Sequence, residues 1–503
     1  MANQVTNVLS LLALKVKQNV FDISSSQYNI SIRDQVARGS LLARDLCKAH
    51  QDMDCILIVG AGIAGVAAAE RALLESKKVK IHIVEKADRA FSLQRGKTTR
   101  FVGPFMYEWP AAVHGDQSYP PTDTMTWGSS WPTALKWSSK TPISADQLCK
   151  SLDLWLTDIL AKFPGRIFLH FGVDGGKTIA SVKKFTQQIE KAHERYVKTG
   201  ALVRACKFRI HYSDGSEFDP APQVNYVILA CGPGQERVEL ANGIEGLPFW
   251  SNDTLRSARM ASKRVGIFGG GDGALQDVLR ALTGHKHPLV TMKRLLSDPN
   301  AKRAIETAYS SLLTAENQAR LLQNWTTDPS VDARLDKACQ AVAHKLAKQA
   351  VVRKQLATCI RSLKAGQNGR VIHVVKGDGF DRAYMLNRFL VHLIDQAQAH
   401  PKWPSGKLHY ALLFHTQAKH AFKFKSRYFT ILETNTPVGP KSRFVPVHLV
   451  VVRYGVQPGT VASAMKTVDE HDRVYTGQLI QLSKRKSNER VNLGKIQLPF
   501  LVP

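Results

Sequence analysis

ILIVGAGIAGVAAAE, residues 56–70, is an apolar strand that runs into a glycine turn and leaves it as a small-residue helix. The spacing Gly60-x-Gly62-x-x-Gly65 gives each glycine its own task. Gly60 permits the tight turn, Gly62 lets the backbone approach a pyrophosphate, and Gly65 lets helix and strand pack closely, with Ala69 extending that small face. The helix N-terminus presents N–H groups and a partial positive charge to phosphates. The next apolar run, VKIHIVEK (79–86), closes on Glu85, which is placed to accept hydrogen bonds from an adenosine ribose. A carboxylate there disfavours a 2′-phosphate, so FAD or NAD fits this turn better than NADP.

The same pattern returns in VGIFGGGDGALQD, residues 265–277, with Gly269, Gly271 and Ala274 at the same spacing and Asp272 inside the turn. No ribose-binding residue follows promptly. If RVIHVV (370–375) is the displaced second strand, Lys376 takes the ribose position, and a cation there suits the 2′-phosphate of NADPH. Either both turns hold nucleotides that must meet, or the second is a relic whose cleft the intervening helices fill.

Around these two turns the 503 residues read as an α/β chain with two Rossmann-like dinucleotide-binding domains, the second carrying a long helical insertion. Residues 1–50 look helical, with Val5, Val8, Leu9 and Leu12 on one face. Residues 51–250 form an FAD-type domain, and 251–460 an NAD(P)-type domain with the insertion at about 298–364. Residues 461–503 return to the first domain. Between the turns, SADQLCKSLDLWLTDILAKF and VKKFTQQIEKAHERYVKTGA have helical periodicity, CKFRIHYSDGSEF reads as short strands turning at Asp214-Gly215, and VNYVILACGPG ends an apolar strand at glycine.

With 44% hydrophobic and 22% charged residues the composition is that of a globular protein. No apolar run is long enough for a membrane span, and no basic flank or small-residue cleavage site marks a signal peptide. The seven cysteines are scattered without a CxxC, which argues against zinc or a dithiol centre and fits a cytoplasmic location. The net charge of +28 attracts polyanions. Basic residues concentrate at His285–Arg294, at SKRKSNER (483–490) and in KHAFKFKSR (419–427), where Phe422 and Phe424 alternate with lysines as in a half-buried strand. Such runs are solvated faces or contacts to a polyanion or protein partner, and the helical insertion is a second candidate partner surface.

The motifs GAGIAGVAAAE…IVEK, VILACGPG and VGIFGGGDGA together resemble the flavoproteins with two dinucleotide-binding domains, the glutathione-reductase-like and flavin-monooxygenase-like families. The resemblance implies FAD at the first turn, on Gly60, Gly62, Ala64, Gly65, Glu85 and Lys86. It implies NAD(P)H at the second, on Gly269, Gly271, Asp272, Ala274 and Lys376. Ala230-Cys231-Gly232 then corresponds to the turn that crosses between domains, and VVVRYGVQP to the return. Three departures stand out: no evident C-terminal Gly-Asp segment for the flavin ribityl chain, the insertion itself, and no CxxC after the first turn, which removes the disulfide-reductase branch. The segment after Glu85 commonly lies along the cofactor. There Arg95 and Arg100 are candidates for the pyrophosphate, Tyr107, Trp109 and Pro110 for an apolar wall, and His114, Glu108 and Tyr107 for catalysis. For Trp109 core packing, and for His114 the role of an ordinary loop histidine, is the favoured reading. The expected activity is an FAD-dependent oxidoreductase that takes hydride from NAD(P)H and reduces O2 or a small organic acceptor. The alternatives are a non-catalytic NAD(H)- or FAD-binding regulator and a nucleic-acid-associated flavoprotein.

Overall fold

The computed structural model describes Leu11 and residues 14–24, 31–103, 106, 109, 142–199, 205–232, 234–323 and 329–457. The face built on Val5, Val8, Leu9 and Leu12, the run at 483–490, the C-terminal segment 461–503, and Tyr107, Glu108, Pro110 and His114 lie outside the described residues.

The chain opens with β1 (Lys15–Lys17) and β2 (Val20–Asp22), followed by α1 (Ile32–Ala49), β3 (Cys55–Val59), α2 (Ile63–Glu75) and β4 (Lys80–Glu85). After α3 (Ala145–Lys162), β5 (Ile167–Phe171), α4 (Gly175–Thr199) and β6 (Tyr226–Leu229), the first sheet is complete, in the order β1-β2-β6-β3-β4-β5. All its neighbours run parallel except β1 with β2. β3 is the unbroken apolar run CILIV, buried throughout, as expected of a parallel strand covered on both faces. α3 starts at a capping box in which Ser144 accepts from the Gln147 N–H and the Gln147 side chain reaches back to Ser144.

The reading of residues 1–50 as helical and apart from the motif holds for the helix of α1 and needs correction at residues 15–22, which form strands of the first sheet. Asn19, at φ +59°, closes a hairpin, and its carbonyl accepts from the Val227 N–H. β2 thereby joins the edge of β6 with Val20 and Phe21 buried. α1 crosses α2 so closely that a Cβ on Gly39 would stand 2.4 Å from the Ala64 carbonyl oxygen. Apolar spacing over so few residues did not separate strand from helix.

The second sheet is built from β7 (Arg264–Phe268), β8 (Arg370–Val374), β9 (His409–Leu413) and β13 (Leu449–Val452), all parallel, in the order β9-β8-β7-β13. Between β7 and β8 lie α5 (Asp272–Thr283) and the insertion: α6 (Pro288–Leu295), α7 (Pro299–Thr307), α8 (Tyr309–Gln323), α9 (Pro329–Ala347) and α10 (Ala350–Cys359). α11 (Met385–Gln398) joins β8 to β9. An antiparallel meander, β10 (Thr416–Phe424), β11 (Arg427–Thr436) and β12 (Gly439–Val447), precedes β13.

One large core holds α5, the insertion and α11 against one face of this sheet, and a smaller one holds the meander against the other. In β10 the expected phase is reversed. Ala421 is buried, whereas Phe422 and Phe424 face outward. The α/β architecture of two Rossmann-like units, the second interrupted by helices, is the one anticipated from the two glycine turns.

Candidate functional site

Each glycine turn sits at the carboxyl end of the central strand of its sheet, where α/β folds bind nucleotides. At the first turn the three glycines meet different surroundings. Gly60 has φ +114°, and a Cβ there would lie 2.3 Å from the Ala230 carbonyl oxygen. A Cβ on Gly65 would lie 2.1 Å from the Gly60 carbonyl oxygen and 3.1 Å from the Ile58 side chain. Gly62 has nothing within 4 Å of its Cβ position. The outer two are therefore required by packing, and the middle one faces open space at the start of α2. Gly62 caps that helix without a side-chain hydrogen bond, and no acidic residue occupies its first turn. This leaves an N-terminal dipole ready for an anion.

Glu85 lies beside the turn, its Oε2 accepting from the Ala61 N–H at 2.9 Å and its Oε1 from the Ala87 N–H at 3.0 Å. Both carboxylate oxygens are thus held by backbone N–H groups at the turn. Ala64 is buried in the first turn of α2, Lys86 is exposed one residue past Glu85, and Gly232 follows β6 at φ +75°. These residues fit the ADP half of FAD.

The second turn repeats the backbone but not the chemistry. Gly269 has φ +134°, and a Cβ there would lie 2.1 Å from the Arg453 carbonyl oxygen, as Gly60 meets Ala230. Gly271 caps α5 without a side-chain bond, and Ala274 is buried where Gly65 stands in the first copy. Asp272 is in the first turn of α5. Its carboxylate accepts from the Tyr384 N–H (3.1 Å), Asn387 Nδ2 and Gln276 Nε2 (2.8 Å), and burial raises its pKa against those hydrogen bonds.

The backbone register identifies the ribose position. Gly60 N–H donates to the Val84 carbonyl, and Gly269 N–H to that of Val374. The residue matching Glu85 is therefore Val375, buried, and Lys376 matches Lys86. The expectation of Lys376 at the ribose position is corrected by one residue, because β8 ends in an apolar residue where β4 ends in a carboxylate. Lys376 is exposed beside that position.

The other candidates are committed elsewhere. Arg95 forks onto Asp153 of α3 at 2.7 and 2.9 Å. Trp109 is buried in the core of the second unit, its ring 5.0 Å from Phe389 and edge-on to Tyr309 at 5.6 Å, so of its two readings the packing one holds. Arg100 enters a buried cluster that the sequence reading missed. Asp277 of α5 meets Arg100, Arg280 (2.7 Å) and Arg453 (2.9 Å), while Asp253 meets Arg280 (2.9 Å) and Arg100 (3.1 Å). Burial pushes the Asp277 carboxyl up, and the three guanidinium groups outweigh it, holding the group well below the usual carboxylate range. The available signal was a pair of opposite charges, Asp277 and Arg280, on the otherwise apolar face of α5.

The segment that leaves the first unit pairs with the segment that follows β13. Gln235–Glu236 runs antiparallel to Val456–Gln457, and the Arg237 N–H donates to the Gly455 carbonyl at 2.9 Å. All seven cysteines are free, and burial pushes the Cys231 thiol up to about 12. Among the described residues no helix is long and apolar enough to cross a membrane, and no three metal-ligating side chains gather.

No curated protein is significantly similar to the chain. Among solved structures, bacillithiol disulfide reductase from Bacillus cereus aligns at 10% identity, 83% of this chain, 82% of the other and a TM-score of 0.37. Thioredoxin reductase from T. acidophilum aligns at 14%, 81%, 79% and 0.33. The cadaverine monooxygenase of Erwinia amylovora aligns at 12%, 84%, 83% and 0.36. None of these likenesses bears on the chemistry. The model of the pyridine nucleotide-disulphide oxidoreductase family, by contrast, matches residues 54–317, more than half of the chain and both glycine turns. With that match on the two turns just described, the chain belongs to the pyridine nucleotide-disulphide oxidoreductase family, as an FAD/NAD(P)-dependent oxidoreductase.

Proposed function

We propose that the protein oxidises NADPH at its second turn and delivers the electrons, through FAD at its first, to O2 or a small organic acceptor. The observation that carries this reading is the contrast between Glu85 and Val375 at matched positions of the two turns. Glu85 suits an unphosphorylated ribose. At the second turn the matched position carries valine in place of a carboxylate, and Lys376 stands beside it to pair with a 2′-phosphate. When bound, the flavin supplies the two-electron acceptor for hydride and passes electrons onward. The chain's own residues then have binding roles: Gly62 and the first turn of α2 receive the pyrophosphate, and Glu85 holds the adenosine ribose. The acceptor is external, since the cysteines form no CxxC.

The test is an anaerobic absorbance titration of purified protein with NADPH and with NADH. Flavin bands that bleach at lower NADPH than NADH support the assignment. Flavin that neither nucleotide bleaches overturns it, and a protein that cannot be reconstituted with FAD overturns the flavin site as well.

A further inference from the structure

The amino ends of β7 and β8 lie about 16 Å from the second glycine turn, at about 3.3 Å per residue along the strand. There the margin between the second sheet and β12 encloses a groove of about 190 Å³. Arg264, Arg370 and Arg443 line it, over a floor that includes Ile372 and Leu413. Among the described residues none of these three guanidinium groups meets a carboxylate, and Arg370 instead donates from Nε to His409 Nδ1 at 3.0 Å. Burial and the nearby Arg370 lower the pKa of Arg443. Arg370 and Arg443 are exposed and Arg264 is half-buried, so three cations converge at a solvent-open margin with no anion among them.

Phe444 and Pro446 also line the groove and continue it onto the outer face of the meander. There Phe422 stacks on its cross-strand partner Phe429 at 5.3 Å and 18°, and Phe429 stacks on Phe444 at 5.3 Å and 22°. Phe422 and Phe444 are 47% and 57% exposed, high values for phenylalanines ordered by mutual stacking, and Phe424 at the end of β10 is 59% exposed. Lys425 lies over the Phe424 ring, and Arg427 ends the neighbouring strand. The acidic Glu433 of β11 is taken up by Lys419 at 2.9 Å.

From this juxtaposition we propose that the outer face of the meander and the adjoining arginine groove bind single-stranded nucleic acid, the guanidinium groups taking phosphates and the phenylalanine ladder taking bases. Charge complementarity selects the occupant. A chain of net charge +28 repels a second copy of itself at its cationic face, whereas a polyanion is drawn to it. The ladder selects single strands, because a base stacks on a side chain only when its face is free. The groove supplies walled sites for a forked phosphate contact. The proposal is independent of the cofactor chemistry, since the face lies at the other end of the strands.

The experiment is fluorescence anisotropy of the full chain with a labelled single-stranded 12-mer, a duplex of the same sequence and a mononucleotide, each over a salt series, with co-sedimentation on anionic vesicles in parallel. The single strand is expected to bind most tightly. Arg370→Gln and Arg443→Gln should each lower the log–log salt slope by about 0.7. Phe444→Ala should weaken binding about tenfold with the slope unchanged. Thermal unfolding of each variant at the wild-type temperature shows that the fold is kept. Equal affinity for duplex, a mononucleotide that binds as well as the 12-mer, tighter capture by vesicles, or self-association that Phe444→Ala abolishes would each overturn the proposal.

Discussion

Replacing Gly62 by alanine separates the fold of the first turn from its function. Gly62 has φ −77° and ψ 179°, which alanine adopts without strain, and its Cβ would meet nothing within 4 Å. The apo fold should therefore keep its unfolding temperature, or gain slightly from a stiffer unfolded chain, by about 0.4–1 kcal/mol. The methyl group would stand where the pyrophosphate approaches the helix. Overpacking of one methyl costs about 1–3 kcal/mol, which at 1.4 kcal/mol per decade weakens FAD binding by about 5- to 150-fold.

Gly60→Ala is the contrast. At φ +114°, with Ala230 oxygen 2.3 Å from the new carbon, it should destabilise the apoprotein by about 1–3 kcal/mol from backbone conformation alone, before the clash is added. Differential scanning calorimetry and flavin-fluorescence titration of the apoproteins read both quantities. Wild-type FAD affinity in Gly62→Ala would refute the placement of the pyrophosphate. A loss of stability as large as that of Gly60→Ala would refute the claim that Gly62 serves the ligand alone.

Asp277→Asn leaves three buried arginines facing one remaining carboxylate and should cost about 3–5 kcal/mol in urea unfolding, whereas Arg100→Met, which leaves two of each charge, should cost less. A smaller loss in Asp277→Asn than in Arg100→Met would contradict the charge accounting. Glu85→Gln should weaken FAD binding by about tenfold, the value of one charge-assisted hydrogen bond, in the same fluorescence titration. Lys376→Ala should raise the KM for NADPH by about tenfold and leave that for NADH unchanged in steady-state assays. His82 Nδ1 and His170 Nε2 share a 3.0 Å hydrogen bond, and His170 Nδ1 bonds the Tyr212 hydroxyl. Burial holds His82 and His170 down at about 4, with His170 and Lys80 adding to the effect on His82. Because these folded values lie below the ordinary 6.5, their contribution is complete above pH 6.5 and is lost as pH falls from there through 4. Thermal melts over that range should show the decline, and His82→Phe should flatten it.

The first turn was legible because its determinants are local: a buried strand, three glycines at fixed spacing and an acid closing the next strand all fall within residues 55–85. The second was half legible. Its glycines and helix are local, but its ribose position waits on β8, a hundred residues later, and only the pairing of Gly269 with Val374 shows that Val375 and not Lys376 fills it. Arg95 and Arg100 were misjudged for a related reason, and for Trp109 the cofactor reading gave way to the core packing already favoured. Proximity to the motif suggested the cofactor, while the partners that claim them, Asp153, Asp277 and Phe389, lie between 58 and 280 residues away in the chain. In β10 the composition showed a strand, but not which of two alternating sets faces inward. Small Ala421 fits beneath the tightly packed meander, and the phenylalanines are left outside.

The pairing of Gln235–Glu236 with Val456–Gln457 has a consequence for the chain's modular history. Arg237 and Gly455, hydrogen-bonded to each other, stand at the two ends of the stretch that builds the second sheet. Everything between them is a closed excursion whose ends already touch. Such a segment can be cut out and the gap sealed by a tight turn, or transplanted whole, without stretching either half. In that light the stretch that carries the second glycine turn is a separable unit. The rearrangements it tolerates, including a circular permutant opened elsewhere and joined at this ribbon, follow from where its ends meet.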